Sequence, residues 1–223
     1  KALEIIRDLG AVPAPLNYRG FKKSVCTSIN HVVCHGIPGD RRLRDGDIMN
    51  VDVTLFFEGW HGDHSRMYSL GDVSVKAKRL MDVTYEAMMA GINAVRPGAS
   101  LGDIGYAIQQ HAEINRLAVV RDFCGHGLGR VFHDTPNILH YGRPGEGLGG
   151  AVHPCPRSHP SSAAAPAGAV AVTGAGWRGK GGAVQVAVVV AVVEREKVYQ
   201  ITEYCENQNT LGKQRRWKDN GQM

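Results

Sequence analysis

The sequence predicts an α+β fold. A long stretch of alternating polarity over residues 50–70 reads as a β-hairpin, and two amphipathic helical stretches follow it. After them comes a second β-rich segment with a histidine set between glycines. Helices lying between two β segments that both bear polar residues place the expected site where those β segments meet.

Taken in order, residues 2–9 carry Leu3, Ile6 and Leu9 at helical spacing and stop at Gly10, a residue suited to the position just past a helix end. Pro13 and Pro15 force an extended approach to a loop running from Leu16 to Phe21. Residues 24–29 and 31–35 are expected as short strands, and 36–40 as a turn. In the hairpin, Glu58-Gly59 makes the turn. Val51, Val53, Leu55 and Phe57 share one face; Asn50, Asp52, Thr54 and Phe56 share the other. With Phe57 opposite Trp60, Thr54 lies opposite Asp63, and Asp52 is the diagonal neighbour of Asp63 at roughly 7–8 Å between Cα atoms. Ser74 caps a helix from 75 to about 95 with Leu80, Val83, Ala87 and Ile92 on its buried stripe, and Arg96-Pro97-Gly98 ends it. Ser100 with Asp103 opens a second helix, from 101 to about 116. A strand at 117–120 leads into Cys124-Gly125-His126-Gly127-Leu128-Gly129-Arg130 and then Val131-Phe132-His133-Asp134.

Two carboxylates aimed at one side of a sheet repel one another and resist desolvation unless a cation neutralises them. Asp52 and Asp63 therefore point to a divalent metal site of hard oxygen ligands. The glycines around His126 let the backbone approach closely and leave the imidazole open, and a neutral imidazole is a common ligand for first-row metals. His133 and His35 are candidates for orienting a substrate. His61, His64, His111 and His140 are taken as ordinary surface or satisfied histidines.

The chain has 223 residues, enough for one domain with a buried core. Its five cysteines form no C-x-x-C pair, which favours a reducing compartment and a cytoplasmic location. No signal peptide is visible, and the longest apolar run, 183–193, is too short to span a bilayer. A start at Lys1, in what looks like the end of a helix, suggests a fragment or a processed product. Of the net charge of +5, residues 151–223 hold nine Lys+Arg against five Asp+Glu. The body is close to neutral and makes no electrostatic case for nucleic acid.

Together Asn17-Tyr18-Arg19-Gly20-Phe21, Ser24-Val25-Cys26-Thr27-Ser28-Ile29-Asn30, Val33-Cys34-His35-Gly36-Ile37-Pro38, Asp45-Gly46-Asp47-Ile48-Met49-Asn50-Val51-Asp52-Val53, Gly62-Asp63 and Cys124-Gly125-His126-Gly127-Leu128-Gly129 with Phe132-His133 closely resemble the bacterial-type (type I) methionine aminopeptidases of the pita-bread fold. The resemblance covers residues 1–147 and rests on several motifs in order at the right spacings. It implies an α+β pita-bread fold, incomplete at both ends, and metal-dependent removal of the N-terminal methionine from nascent polypeptides in the cytoplasm. It further implies two divalent ions per site (Co, Mn, Fe, Zn or Ni), held by Asp52, Asp63 and His126. By the same resemblance His35 and His133 contact the substrate and move protons, while Tyr18, Phe21, Cys26 and Phe132 line the pocket for the methionine side chain. The expected partners are polypeptide N-termini near the ribosome, with a monomeric chain, no specific nucleic acid and no membrane.

Beyond residue 147 the sequence leaves the family pattern. The family completes its metal cage with two glutamates, one in a P-G-M-x-F-T-I-E-P-like strand and one in a Q-F-E-H-T-type strand. Here no carboxylate stands between Glu146 and Glu194. Residues 150–183 are rich in Ala, Gly and Pro, the composition of a disordered segment. The second strand survives as an echo over 185–194, with Ala187 at the glutamate's place, so a remnant strand is expected within 183–194 of an atypical 148–223 tail. A frame disruption, a gene-model error or a decayed gene would produce such a tail. His153, Cys155 and His159 match no standard zinc spacing, and the basic cluster 213–218 reads as a solvated tail. Weak metal binding and little turnover are expected, together with exposed apolar surface where the family's preceding helix would lie. The rival readings are a non-catalytic pita-bread module that binds peptide or protein, and a creatinase- or prolidase-like relative.

Overall fold

A computed structural model describes residues 1–147 in full and, as backbone, the strands Val152–Pro154, Val172–Gly179, Gly182–Val188 and Val192–Glu194. The hairpin organises the first sheet. Strand β3 (Ile48–Phe57) pairs with β4 (Trp60–Ser69) from Ile48 opposite Ser69 to Phe57 opposite Trp60, which places Thr54 opposite Asp63 as the alternation predicts. Glu58 and Gly59 both sit at positive φ (48° and 82°), the geometry of a two-residue turn whose twist matches that of the strands. Along the other edge of β3 lie β2 (Cys26–Ile29), with Cys26 opposite Asp52, and β1 (Val12–Pro13), with Val12 opposite Phe56.

Helix α1 (Ala2–Asp8) ends before Gly10, which takes φ +73°, and buries Ile6 with Ala11 and Val25 against Val53 and Leu55. The expected strand over 31–35 does not form. Asn30 (φ 53°) and His35 (φ 54°) both turn left-handed, and Thr27 N donates to Gly36 O, so the segment between them is a closed loop. The Asn30 side chain fixes that loop by donating to Asp47 Oδ1 and accepting from Ile48 N.

Helices α2 (Val75–Asn93) and α3 (Leu101–Ile114) start at the predicted caps. Ser74 Oγ accepts from Ala77 N, and Ser100 and Asp103 form the reciprocal box. The buried stripe of α2 is broader than predicted: Met81, Thr84, Met88 and Gly91 join Val83 and Ala87, while Leu80 and Ile92 are only partly buried. A Cβ on Gly91 would lie 2.7 Å from Ile108 Cγ1, so this glycine sets how closely the helices approach. Ile104 and Ile108 are fully buried there, a burial that stabilises by about 1.5–3 kcal/mol per side chain.

The chain then forms β5 (Leu117–Val119), β6 (Gly125–Leu128) and β7 (Asp134–Ile138), followed by β8 (Val152–Pro154), β9 (Val172–Gly179), β10 (Gly182–Val188) and β11 (Val192–Glu194). Among the described residues β7, β6, β10, β9 and β8 make a second antiparallel sheet in that order, and β11 pairs with β5. Two of these strands, β8 and β9, fall inside the Ala/Gly/Pro-rich interval. The rest of that interval, with His159, Cys205 and the basic cluster at 213–218, lies outside the described residues.

Val53, Leu55, Phe57 and Trp60 are among the residues of the hairpin that line an open groove of about 570 Å³. Ile5, Leu9, Val12, Phe57 and Trp60 are between 46% and 66% exposed.

Candidate metal centre

Asp52 and Asp63 project from β3 and β4 on one face, beside buried Thr54, Ser28 and Ser65. Ser65 Oγ donates to Asn50 Oδ1, so the surrounding polar groups satisfy one another and not the two aspartates. The Oδ1 atoms of both Asp52 and Asp63 are buried with no hydrogen-bond partner. Burial, and then the charge of Asp63, push the Asp52 carboxyl well above the usual carboxylate range.

His126 comes from the second sheet. The β6–β7 register shifts between His126 and Gly127, and such an irregularity re-aims a side chain. A Cβ on Gly127 would stand 2.3 Å from Thr135 O, so β6 approaches its neighbour too closely for any other residue. His126 Nδ1 lies 2.8 Å from Gly127 O. A carbonyl only accepts, so Nδ1 carries the hydrogen, and in the neutral imidazole Nε2 is the atom with the lone pair. That Nε2 stands 3.9 Å from Asp63 Oδ2, two electron-rich atoms facing each other across a gap. Such an arrangement suits a cation between them. Asp63 thus neighbours both Asp52 and His126.

The substrate-side candidates divide into groups. Tyr18, Phe132 and His133 form one cluster: Phe132 stacks on His133 at 4.1 Å, Tyr18 lies 4.8 Å from Phe132, and His133 Nδ1 is 3.0 Å from the Tyr18 hydroxyl. His133 also touches His126, with ring centroids 4.4 Å apart. Desolvation by these neighbours, with the charges of His126, Arg19, His35 and His61, brings the His133 imidazole down to about 4, so it is neutral at pH 7. His35 meets Phe123 edge-on at 5.9 Å. Desolvation in the hollow, countered in part by Asp63 and reinforced by His126, holds its imidazole below the ordinary value. Gly36 behind it lies so close to β2 that a Cβ would fall 2.2 Å from Thr27 O, which sets where His35 leaves the backbone. Cys26 and Phe21 are buried. Burial, with Asp52 next, pushes the Cys26 thiol up to about 12, so it is an apolar wall and not a nucleophile.

The fit to a metal is one of donor chemistry: two orphaned carboxylate oxygens and a lone-pair-bearing imidazole suit a divalent ion. Among the described residues no three His, Cys, Asp or Glu side chains close a ready cage. Ala187 on β10 stands opposite His126 in the register, at the place where the resemblance puts a glutamate.

One contributor's role escaped the sequence reading. His61, expected as a surface or a satisfied histidine, is the satisfied kind, half-buried with its Nδ1 3.0 Å from Gly129 O; what the sequence did not show is that its ring stacks on Phe132. The position of His61 two residues before Asp63, hence on the same strand face, was the available signal.

Two adjacent buried carboxylates from the first sheet and an imidazole from the second have the donor chemistry of a divalent metal site. The sequence profile of metallopeptidase family M24 matches residues 2–194, and the chain belongs to that family. Methionine aminopeptidase of Rickettsia prowazekii (strain Madrid E) is 68% identical over 138 residues, covering 62% of this chain and 53% of the relative. Methionine aminopeptidase A of Synechocystis is 55% identical over 139 residues, covering 62% and 55%. This chain therefore spans about half the length of the curated relatives it matches. Among solved structures, methionine aminopeptidase from Rickettsia prowazekii superposes with a TM-score of 0.66 at 49% identity, covering 84% of this chain and 75% of that one. The Thermotoga maritima enzyme gives 0.65 at 31%, covering 86% and 75%. The fold is therefore the pita-bread fold of these enzymes, and membership in a metallopeptidase family implies a divalent metal cofactor.

Proposed function

We propose that this chain carries the site of a methionine aminopeptidase, which removes the N-terminal methionine from a polypeptide. The observation that carries the reading is the pair of neighbouring aspartates, Asp52 and Asp63, each with an orphaned buried Oδ1, together with His126 Nε2 at 3.9 Å from Asp63 Oδ2. Its support from relatives is the 68% identity to a methionine aminopeptidase over 138 residues. Asp52, Asp63 and His126 would hold one divalent ion, Mn, Fe, Co, Ni or Zn by donor type. When bound, such an ion supplies a Lewis acid for the scissile carbonyl and an acidified water.

The remaining work belongs to the chain. Tyr18 and Phe132, backed by the buried Phe21 and Cys26, offer an apolar recess for an unbranched thioether side chain. His133, neutral and tied to the Tyr18 hydroxyl, accepts a hydrogen bond from the substrate and relays a proton to the departing amine. His35, also kept neutral, orients the peptide from the opposite side. Five cysteines without a C-x-x-C pair support a reducing, cytoplasmic setting.

Release of methionine from Met-Ala-Ser by the verified chain, with and without Mn²⁺, tests the reading. The expected result is slow, Mn²⁺-dependent release that Asp63→Asn abolishes. No metal-dependent release and no saturable binding of the peptide would overturn it.

A further inference from the structure

We propose that His61 is a positioning residue that holds Phe132, and through it the imidazole of His133, against Tyr18, so that the hairpin β3–β4 sets the width of the methionine recess. The inference rests on the aminopeptidase reading of that recess and assigns it a support outside the pocket. Residues 129–133 fall between the end of β6 at Leu128 and the start of β7 at Asp134, so strand pairing does not hold them. They are held from the side by β4.

The backbone N of His61 donates to Gly129 O at 2.8 Å, and Nδ1 lies 3.0 Å from the same oxygen. Because a carbonyl only accepts, Nδ1 must carry its hydrogen, and the ring is pinned at one edge by a defined tautomer. Its faces are pinned by aromatic contacts: Phe56 at 4.9 Å and 51°, and Phe132 at 5.6 Å and 11°, a stacked arrangement. From Phe132 the contacts continue to His133 at 4.1 Å and Tyr18 at 4.8 Å. A change at His61 therefore reaches the recess through one ring. Arg130 makes a separate anchor at the loop's start: its guanidinium covers the Trp60 ring at 4.1 Å, and Nη1 donates to Gly59 O at 3.1 Å. Arg130 fixes the beginning of the loop, and His61 meets its aromatic end.

The test uses the full chain with His61→Ala, His61→Phe, which keeps a ring to stack, and His61→Asn, which keeps a short donor. The readouts are the imidazole NMR signals of His133 with the Tyr18 ring signals, KM and kcat for Met-Ala-Ser, and Mn²⁺ affinity. His61→Ala is expected to shift the His133 and Tyr18 signals, to raise KM about tenfold and to lower kcat through the displaced His133, with Mn²⁺ affinity close to the parent's. His61→Phe is expected to recover most of the KM, and His61→Asn less. Unmoved His133 and Tyr18 signals in His61→Ala overturn the proposal. So does a loss of kcat and Mn²⁺ affinity at constant KM, since His61 would then support Asp63 alone. Failure of the parent chain to cleave the peptide counts against the aminopeptidase reading, and the NMR signals still decide the role of His61.

Discussion

Asp52 and Asp63 work against the folding of the chain that carries them. Each keeps a buried Oδ1 without a partner, so the desolvation cost of that atom is not offset by the protein. Burial and the adjacent Asp63 raise the Asp52 carboxyl. A raised carboxyl favours the neutral form, so the metal-free fold loses stability as pH climbs from the unfolded value, about 3.9, through the raised one. Asp52→Asn is therefore expected to melt higher than the parent at pH 7 in EDTA. It should also lose the gain from Mn²⁺, which is about 2.7 kcal/mol for the parent at a hundredfold excess over Kd. Melting curves of both proteins with and without Mn²⁺ check this, and a variant less stable than the parent in EDTA counts against it. Asp47 behaves in the opposite way. Hydrogen bonds from Asn30 and from Arg44 N, with Arg41 nearby, hold its carboxyl below the usual range. Its contribution is present above the unfolded pKa and lost as pH falls through the folded one, so Asp47→Asn should destabilise at pH 7 and much less at pH 3, read by urea unfolding. The pair Asp52 and Asp63 was legible from strand alternation alone, because period two places polar residues on a face that should be apolar. For His61 the same alternation gave the face but not the role, because what marks it is the ring of Phe132, brought beside it from 71 positions along the chain by the fold, much as Gly59 is brought to Arg130.

At the scale of elements, local chemistry explains what could be read. The hairpin turn at Glu58-Gly59, the Ser74 cap and the Ser100–Asp103 box each act within a few residues, and each was legible. The segment 31–35 read as a strand because its pattern is apolar. The structure makes it a loop because Asn30 is tied to Asp47 and Ile48, contacts 17 and 18 residues away. Strand β7 was missed because Asp134, Thr135, Pro136 and Asn137 have turn chemistry, and only pairing with β6 extends them. Helix α3 carries a prediction of the same long-range kind. Gly105 gives way to the backbone of the segment after β7, where a Cβ would lie 2.4 Å from Tyr141 O and 2.7 Å from Leu139 O. In an isolated helix, alanine there would gain about 1 kcal/mol over glycine. Backbone carbonyls cannot swing away as a side chain does, so the contact outweighs the propensity. Gly105→Ala is expected to destabilise by about 1–3 kcal/mol, measured by urea unfolding.

For the molecule as a whole, the centre is divided between two sheets that differ in how much negative charge they contribute. The first sheet brings two carboxylates, and β6 in the second brings only an imidazole. Between Glu146 and Glu194 the sequence offers no carboxylate at all, so the second sheet has none to add from that interval. Position 187 is where the shortfall can be tested. Strand β10 pairs with β6 so that Ala187 stands directly opposite His126, and directly opposed residues of an antiparallel pair lie on one face with Cβ atoms about 4.5–5.5 Å apart. A carboxylate at 187 would raise the negative charge of the two sheets beside His126 from two to three. Ala187→Glu is expected to bind Mn²⁺ about tenfold more tightly than the parent, read by calorimetric titration at pH 7 and by the rise in melting temperature with added metal. Ala187→Gln supplies the same length without the charge and is expected to stay close to the parent. Equal affinities for the Glu and Gln variants would mean that charge at position 187 does not reach the metal, and the β6–β10 register could then no longer explain the weak site.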